Sequence, residues 1–250
     1  MDNTQRFSDR VENYQKFRPS YTDETIDYIF HNFGLSRDSV LADVGAGTGI
    51  FTEKLVTKCK LVYAIEPNQE MRTAADKRLS SYSSYKSING TSDKTMIGNN
   101  SIDGITVAQA FHWFDIVKTK KEFKRILKKD AYVFLIWNNR IANTPFLSAY
   151  EDVLKNKLPE YKVVNHKNIT DEIINTFINK DYQKTIFPNT QTLTLDGVLG
   201  RLSSSSYTPK EDTKEYHIIK EEIINAFNQY SSGGFVEFNY NTEVYSGKIT

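Results

Sequence analysis

The chain has 250 residues, a net charge of +1 and a single cysteine, Cys59. The balanced charge argues against a global attraction to nucleic acid or acidic membranes, and one cysteine excludes an intramolecular disulfide. The first residues are polar, and no apolar run approaches the ~18 residues that span a bilayer. We therefore expect one soluble, cytoplasmic domain over residues 1–250, with 39% hydrophobic residues to form its core.

Residues 1–21 are polar and carry spaced aromatic side chains, including Phe7 and Phe17, which indicates a segment that packs on the rest of the protein. A helix follows. Thr22 is suited to cap its start, an apolar stripe runs along it, and Gly34 ends it.

The stretch 40–56 is an apolar strand, a glycine-rich turn and a helix, the order that opens a nucleotide-binding unit. The glycines are Gly45, Gly47 and Gly49, and Ile50 occupies the place where a dinucleotide-binding turn would have its last glycine. An acid, Asp43, lies two residues before the first glycine. A tight strand–helix turn without a ligand remains an alternative explanation.

A second short buried strand, 61–66, ends in Glu66. A carboxylate at that position can accept hydrogen bonds from both ribose hydroxyls of an adenosine cofactor. Asn68 is a candidate cap for the next helix, in which Met71 would pack either on an adenine ring or in the core.

Further strands are predicted at 85–89, 102–108 and 131–137, with a helix at about 116–127. Strands that alternate with helices indicate a mostly parallel sheet covered on both faces. The lysine-rich face of the 116–127 helix is explained better by solvation than by a nucleic-acid patch, because acids balance the charge of the whole chain.

The residues after the fourth strand should face a ligand, because ligands bind at the carboxyl ends of strands in open α/β sheets. Gln109, Phe111, His112 and Trp113 lie there. His112 suits a general base near neutral pH, or a hydrogen-bond donor if the acceptor is a carboxylate.

The second half of the chain alternates helical segments with two strand candidates, at 182–188 and 235–240. The serines at 203–206 indicate a loop. We expect acceptor specificity to reside at about 140–210, where no motif indicates a chemistry. No metal-ligand spacing is found, and His31, His166 and His217 are scattered.

The glycine turn with Asp43, together with Glu66 and the 101–115 stretch, resembles class I S-adenosylmethionine-dependent methyltransferases, and in particular the trans-aconitate methyltransferase-like group. The resemblance is clearest over residues 10–140. It implies a Rossmann-like, doubly wound, seven-stranded, mostly parallel α/β sheet with an antiparallel last strand. It also implies an N-terminal lid, 1–21, and an inserted helical cap at about 140–230.

The resemblance also implies roles for individual residues. The residues expected to hold S-adenosyl-L-methionine are Tyr14, Arg18, Asp43, Gly45, Ala46, Gly47, Glu66, Pro67, Met71, Thr91, Ser92, Ala108 and Gln109. The residues expected to wall the acceptor pocket are Phe111, His112, Trp113, Trp137 and Tyr207. Arg18, on the lid, is expected to pair with the carboxylate of the cofactor.

The expected function is in-line methyl transfer to a small molecule, by O-, carboxyl- or N-methylation. We expect a monomer or homodimer, with neither nucleic acid nor membrane as a partner. The alternatives are a non-catalytic S-adenosylmethionine-binding protein and an NAD(P)-dependent oxidoreductase. Ile50 and the 109–113 stretch count against the oxidoreductase.

Overall fold

The structure is a computed structural model that describes residues 10–163 and 169–249. The predicted lid residues 1–9, including Phe7, and the histidine at 166 lie outside the described residues. Within the described ranges there are seven strands: β1 Val40–Val44, β2 Leu61–Ile65, β3 Tyr85–Ile88, β4 Ile102–Ala108, β5 Leu127–Arg140, β6 Gln183–Leu193 and β7 Val236–Gly247.

These strands form one sheet in the order β3-β2-β1-β4-β5-β7-β6. Neighbouring pairs from β3 to β5 are parallel, and β7 is antiparallel to both β5 and β6. The strand order reverses between β1 and β4, which is where open α/β sheets bind their ligands. The predicted sheet, with its antiparallel last strand, is confirmed.

Helices surround the sheet. In the described ranges they are α1 Val11–Phe17, α2 Asp23–Asn32, α3 Ile50–Val56, α4 Gln69–Leu79, α5 Ile116–Ile126, α6 Pro145–Lys157, α7 Pro159–Val163, α8 Asp171–Phe177, α9 Leu195–Ser203 and α10 Lys214–Tyr230.

Both faces of the sheet are buried by helices. On one face, Phe123 of α5 and Phe177 of α8 share an apolar cluster with Leu135 of β5. Ile29 of α2 and Leu55 of α3 pack against the other face. The central strands are therefore apolar on both sides, as parallel sheets require.

Helices α6, α9 and α10 share a separate apolar cluster with the first part of β7, formed among others by Tyr150, Val198, Ile223 and Phe238. Helix α8 does not belong to this cluster, because Ile174 and Phe177 pack on the sheet. The predicted cap at about 140–230 thus contains one helix that covers the sheet. The domain boundaries themselves stay a prediction.

Strands β5, β6 and β7 are longer than predicted, and this difference shapes the site. Strand β5 runs past Trp137 to Arg140, which pairs with Tyr240 of β7. Strand β6 continues through Pro188 to Leu193. Proline is tolerated there because β6 lies at the edge of the sheet, where a missing N–H breaks no interior ladder.

Candidate active site

The glycine turn joins β1 to α3 at the carboxyl edge of the sheet. The N–H groups of Gly45 and Ala46 donate to the carbonyl of Ile65 at 2.9 and 3.1 Å, which fixes the turn against the end of β2. Gly45 and Gly47 have φ of 73° and 56°, in the left-handed region that favours glycine. A Cβ on Gly47 would meet nothing within 4 Å, so its bare backbone faces open space.

We expect Gly45→Ala to destabilise the protein and to weaken binding of the expected cofactor. The added Cβ would lie 2.4 Å from that of Ala110, an overlap that costs about 1–3 kcal/mol. Gly34→Ala is the matched control, because its φ of 71° is nearly the same but a Cβ there meets nothing within 4 Å. Thermal unfolding with and without S-adenosylhomocysteine measures both effects, and equal behaviour of the two variants would contradict the steric argument.

Asp43 lies at the end of β1, with 1% of its surface exposed. Its two carboxylate oxygens accept hydrogen bonds from the hydroxyls of Thr52, at 2.6 Å, and Thr106, at 2.9 Å. Burial raises the pKa of Asp43 to about 6, although both hydroxyls oppose the shift. The carboxylate therefore links β1, β4 and α3 directly beneath the glycine turn.

The raised pKa of Asp43 predicts how stability changes with pH. Between its ordinary pKa of 3.8 and about 6, the folded protein retains a proton that the unfolded chain has released. Asp43 therefore weakens the fold as pH rises through that window. We expect the free energy of unfolding of Asp43→Asn to gain roughly 3 kcal/mol over the wild type between about pH 4 and pH 7.

Urea unfolding of the ligand-free protein at several pH values tests this prediction. The control is Asp38→Asn, which removes a carboxyl group at an exposed position outside the glycine turn. Parallel curves for Asp43→Asn and the wild type would contradict a raised pKa.

Glu66 follows β2 and turns back toward the glycine turn. One carboxylate oxygen accepts from the N–H of Gly47 and the other from the N–H of Asn68, both at 2.9 Å. Asn68 in turn caps α4 by accepting from the N–H of Met71 at 2.8 Å. Burial raises the pKa of Glu66, against the effect of these two N–H groups. The carboxylate is thus held in one orientation at the edge of a cavity.

Two adjoining cavities open at this edge of the sheet. The first, which we call the Glu66 cavity, is lined by Tyr14, Gly45, Gly47, Glu66, Pro67, Asn68, Met71, Gly90, Thr91, Ser92, Asp93, Ala108, Gln109, Ala110, Trp113, Phe114 and Asp115. The second, the arginine cavity, is lined by Tyr14, Arg18, Pro19, Tyr21, Asp43, Gly45, Ala46, Gly47, Thr48, Ile50, Phe51, Ala108, Gln109, Asn138, Arg140, Tyr161, Arg201, Tyr207 and Tyr240.

Every residue that the sequence predicted for the cofactor lines one or both of these cavities. The shared wall includes the glycine turn, Tyr14 and Gln109. Gln109 has a φ of 61°, which is unusual for a residue with a side chain. Its N–H donates to the carbonyl of Ile136 at 2.9 Å, so β5 holds it in that conformation.

The arginine cavity brings together three guanidinium groups from distant parts of the chain. Arg18 follows α1, Arg140 ends β5, and Arg201 lies in α9 with 6% of its surface exposed. Arg18 donates to the carbonyl of Ser204 at 2.9 Å, and Arg201 donates to the hydroxyl of Ser205 at 3.2 Å.

Little negative charge offsets these arginines. Arg140 donates to Glu151 at 2.6 Å, and within residues 10–163 and 169–249 this is the one ion pair that any of the three guanidiniums makes. In the same ranges, the buried Nε atoms of Arg18 and Arg140 have no hydrogen-bond partner. Burial and the charge of Arg201 lower the pKa of Arg18 to about 10, so all three groups remain protonated at neutral pH.

Tyr207 lines the same cavity and packs edge-on against Tyr161, with ring centroids 4.9 Å apart. Burial raises its pKa, but the charges of Arg140 and Arg201 outweigh burial and lower the pKa below its usual value. Its hydroxyl is therefore a strong hydrogen-bond donor.

The structure brings only part of the expected aromatic wall to the two cavities. Phe111 is fully buried in the core against Phe177, with ring centroids 4.6 Å apart, and Trp137 is buried beside Tyr245. Neither lines the two cavities.

His112 stands against Trp113, with ring centroids 4.7 Å apart, and lines neither cavity. Residues Phe111–Trp113 form a 3-10 turn, which points three successive side chains in three directions. Only Trp113 faces the Glu66 cavity, and Tyr207 is the other predicted wall residue that reaches a cavity.

The sequence analysis missed Arg140, Arg201, Tyr161 and Tyr240. Arg140 could have been found by extending the fifth strand, because its carboxyl end faces the ligand edge. Arg201 offered a weaker signal, as a charged residue between the apolar Leu199 and Leu202 of a mostly apolar helix.

Among the described residues, no helix is both long and apolar enough to cross a membrane. The same parts of the chain contain no group of three or more His, Cys, Asp or Glu side chains placed to hold a metal ion.

Comparison with known proteins agrees with this geometry. A family model described as a methyltransferase domain matches residues 42–135. An uncharacterized methyltransferase-like protein of Schizosaccharomyces pombe is 24% identical over 249 residues, covering 97% of this chain and 94% of its own length.

Solved structures share the fold. A proposed type II methyltransferase of Anaeromyxobacter dehalogenans has a TM-score of 0.65 at 16% identity, covering 93% of this chain and 98% of its own. A phosphoethanolamine N-methyltransferase of Haemonchus contortus, solved with S-adenosylhomocysteine, has a TM-score of 0.57 at 16% identity, covering 100% of this chain and 59% of its own.

The residues present fit an S-adenosylmethionine cofactor. The bare backbone of Gly47 leaves room for a ligand, and the fixed carboxylate of Glu66 can accept from ribose hydroxyls. The strand order and the matched methyltransferase domain agree with this cofactor. The chain is a class I S-adenosylmethionine-dependent methyltransferase.

Proposed function

We propose that the enzyme methylates a carboxylate group of a small organic acid. The observation that carries this proposal is the arginine cavity, in which Arg18, Arg140 and Arg201 adjoin the glycine turn with Glu151 as their one ion-pair partner in the described residues. Guanidinium groups bind carboxylates through paired, charge-assisted hydrogen bonds. Even with the cofactor carboxylate on Arg18 and Glu151 on Arg140, an uncharged or cationic acceptor would leave the charge of Arg201 buried without compensation.

The Glu66 cavity would hold the adenosine half of the cofactor. Glu66 would accept from the ribose hydroxyls, with Pro67 and Met71 beside the adenine and Thr91 and Ser92 at its edge. The glycine turn, with Asp43, Ala46, Ala108 and Gln109, would hold the methionine half. Tyr14 would cover the junction of the two cavities, which it lines on both sides. When bound, the cofactor supplies an electrophilic methyl group on a sulfonium.

The protein's own residues would bind, orient and dehydrate the acid. Arg201 and Arg140 would pair with carboxylate oxygens, and Tyr207 would donate a hydrogen bond. A carboxylate is already ionised at neutral pH, so the reaction needs no general base. That requirement agrees with the position of His112 outside both cavities. Catalysis would then come from alignment and exclusion of water.

The position of the arginine cavity supports a small acceptor. It lies beneath the N-terminal segment, of which Tyr14, Arg18, Pro19 and Tyr21 form part of the wall. A carboxylate acceptor also agrees with the predicted place in the trans-aconitate methyltransferase-like group. That subgroup, the cytoplasmic location, the monomer or homodimer and the lack of a nucleic-acid partner stay predictions.

Turnover with matched pairs of acceptors tests the proposal. S-adenosylhomocysteine formation is measured with acetate, malonate, succinate and citrate, with the corresponding amides, and with simple amines and alcohols. We expect turnover with one or more of the acids and none with the amides. Equal turnover with the amides, or turnover confined to amines or alcohols, would overturn carboxyl methylation.

A further inference from the structure

We propose that Arg18 senses the charge of the acceptor from the lid, defined here as residues 10–21. An acid in the arginine cavity holds the lid closed, and an uncharged or empty cavity lets it open. The inference rests on the proposed function, because it places the acid among the arginines. It makes Arg18 a specificity-determining residue on a movable element.

The lid docks on the same segment that supplies two residues of the arginine cavity. Arg10 donates to the carbonyls of Ser205 and Thr208, the latter at 2.7 Å, and Arg18 donates to the carbonyl of Ser204 at 2.9 Å. Arg201 and Tyr207 lie in the same short stretch of chain as these acceptors. The lid and the acceptor-binding groups therefore meet on one stretch, residues 200–208.

The ring of Phe17 fits against Gly200 of α9. A Cβ on that glycine would lie 2.1 Å from the ring, so the closed lid requires a bare backbone there. Gly200 thus allows Phe17 of the closed lid to pack on α9, while its neighbour Arg201 lines the arginine cavity.

Residues 10–18 of the lid are held mainly by these polar contacts, because helix α1 has no buried residue. Further hydrogen bonds go to main-chain carbonyls, from Gln191 to Phe17 at 3.2 Å and from Asn189 and Asn138 to Ser20 at 2.8 and 3.3 Å. The lid is anchored in the core at its end by Tyr21, which packs edge-on against Phe51 with ring centroids 4.8 Å apart. The part before this anchor buries little apolar surface, and such an element opens locally at low free energy. A change of charge beneath it can therefore shift its position.

The arginine cavity supplies such a change. With neither acid nor cofactor bound, Arg18 and Arg201 repel each other in surroundings of low dielectric, while Glu151 is paired with Arg140. A carboxylate between the two guanidiniums converts this repulsion into two attractions. Arg18 leaves the cavity when the lid opens and Arg201 does not, because Arg201 is fixed in α9. The position of the lid therefore depends on the charge of the molecule bound in the arginine cavity.

The lid should respond differently to the acid and to its methylated product, because the two differ in charge. The methyl ester carries one negative charge fewer than the acid, so it holds the lid less strongly. Closure would then favour the substrate, exclude water during transfer and relax afterwards.

Hydrogen exchange at the backbone N–H groups of residues 10–21, measured without cofactor because the cofactor carboxylate is itself expected to pair with Arg18, tests the inference. In the wild type, we expect one or more of acetate, malonate, succinate and citrate to slow exchange by about tenfold, and their amides to have no effect. Arg18→Gln should abolish the response to acid. Without any acid, Arg201→Gln should slow lid exchange, because the repulsion is gone.

Arg10→Gln is the matched control. It removes contacts of the lid with Ser205 and Thr208 but does not line the arginine cavity. Lid exchange in this variant should be faster throughout, and acid should slow it by the same factor as in the wild type.

Two results would overturn the inference: lid exchange that no acid slows, or a response to acid that survives in Arg18→Gln. Failure of the proposed function is distinguishable. If acids are methylated but do not slow hydrogen exchange in the lid, the proposal about Arg18 is wrong and the proposed function stands. If Arg201→Gln slows lid exchange as expected but the wild type methylates none of the acids, the carboxylate acceptor is refuted and the repulsion between Arg18 and Arg201 still stands.

Discussion

We expect the replacement of Arg201 with glutamine to lower kcat/KM for the proposed acid by about a thousandfold, which corresponds to ~4 kcal/mol. The guanidinium is 6% exposed and has no ion-pair partner in the described residues, so the acceptor carboxylate would be its counter-charge. Glutamine retains a donor for Ser205 but carries no charge. Steady-state kinetics with the best acid, together with titration of S-adenosylhomocysteine, measures both consequences.

Cofactor affinity in Arg201→Gln should stay within about twofold of the wild type, because Arg201 does not line the Glu66 cavity. Arg201→Lys should recover part of the activity, since it restores the charge but not the paired geometry. The exposed Arg37→Gln is the control for loss of an arginine elsewhere. Unchanged kcat/KM in Arg201→Gln would place the acceptor outside the arginine cavity.

The second large effect is expected at Glu66. Glu66→Gln should weaken binding of S-adenosylhomocysteine by about a hundredfold, or ~3 kcal/mol. Its two carboxylate oxygens accept from the N–H groups of Gly47 and Asn68, each at 2.9 Å. An amide NH₂ cannot accept, so one N–H loses its partner and the ribose loses a charged acceptor.

Isothermal titration calorimetry measures the affinity, and Glu70→Gln, an exposed acid in the helix that follows, is the control. Circular dichroism shows whether Glu66→Gln remains folded. Wild-type affinity in a folded Glu66→Gln would contradict the ribose-binding role of Glu66.

The Glu66 cavity was predictable from sequence because its residues follow local rules. A glycine turn after a buried strand and an acid at the end of the next strand are defined within a short stretch of chain. Parallel pairing then brings these strand ends together. The residues predicted for the cofactor accordingly all line the two cavities.

The arginine cavity was not predictable in this way. Arg18, Arg140 and Arg201 come from the N-terminal segment, a strand end and a helix that are far apart in the chain. Their meeting depends on the length of β5 and on the ladder of β6 with β7, which positions α9 over the sheet edge. Single-sequence patterns place strand ends within a few residues only, and the fifth strand was predicted to end before Arg140.

The aromatic residues after β4 show a second limit of prediction from sequence. The rule that ligands face strand ends agrees with the positions of Gln109 and Trp113, which line the cavities, but it does not say which way each side chain points. The 3-10 turn at Phe111–Trp113 sends Phe111 into the core. A rule about position along the chain cannot replace the local backbone geometry.

The most direct test of carboxyl methylation is the chemical stability of the product. S-adenosylmethionine labelled in its methyl group is incubated with the enzyme and the best acid, and the isolated product is treated with alkali. We expect the label to be released as volatile methanol, because a methyl ester is hydrolysed by base. Label that stays on an alkali-stable product would place the methyl group on nitrogen or on an ether oxygen, and would contradict a carboxylate acceptor.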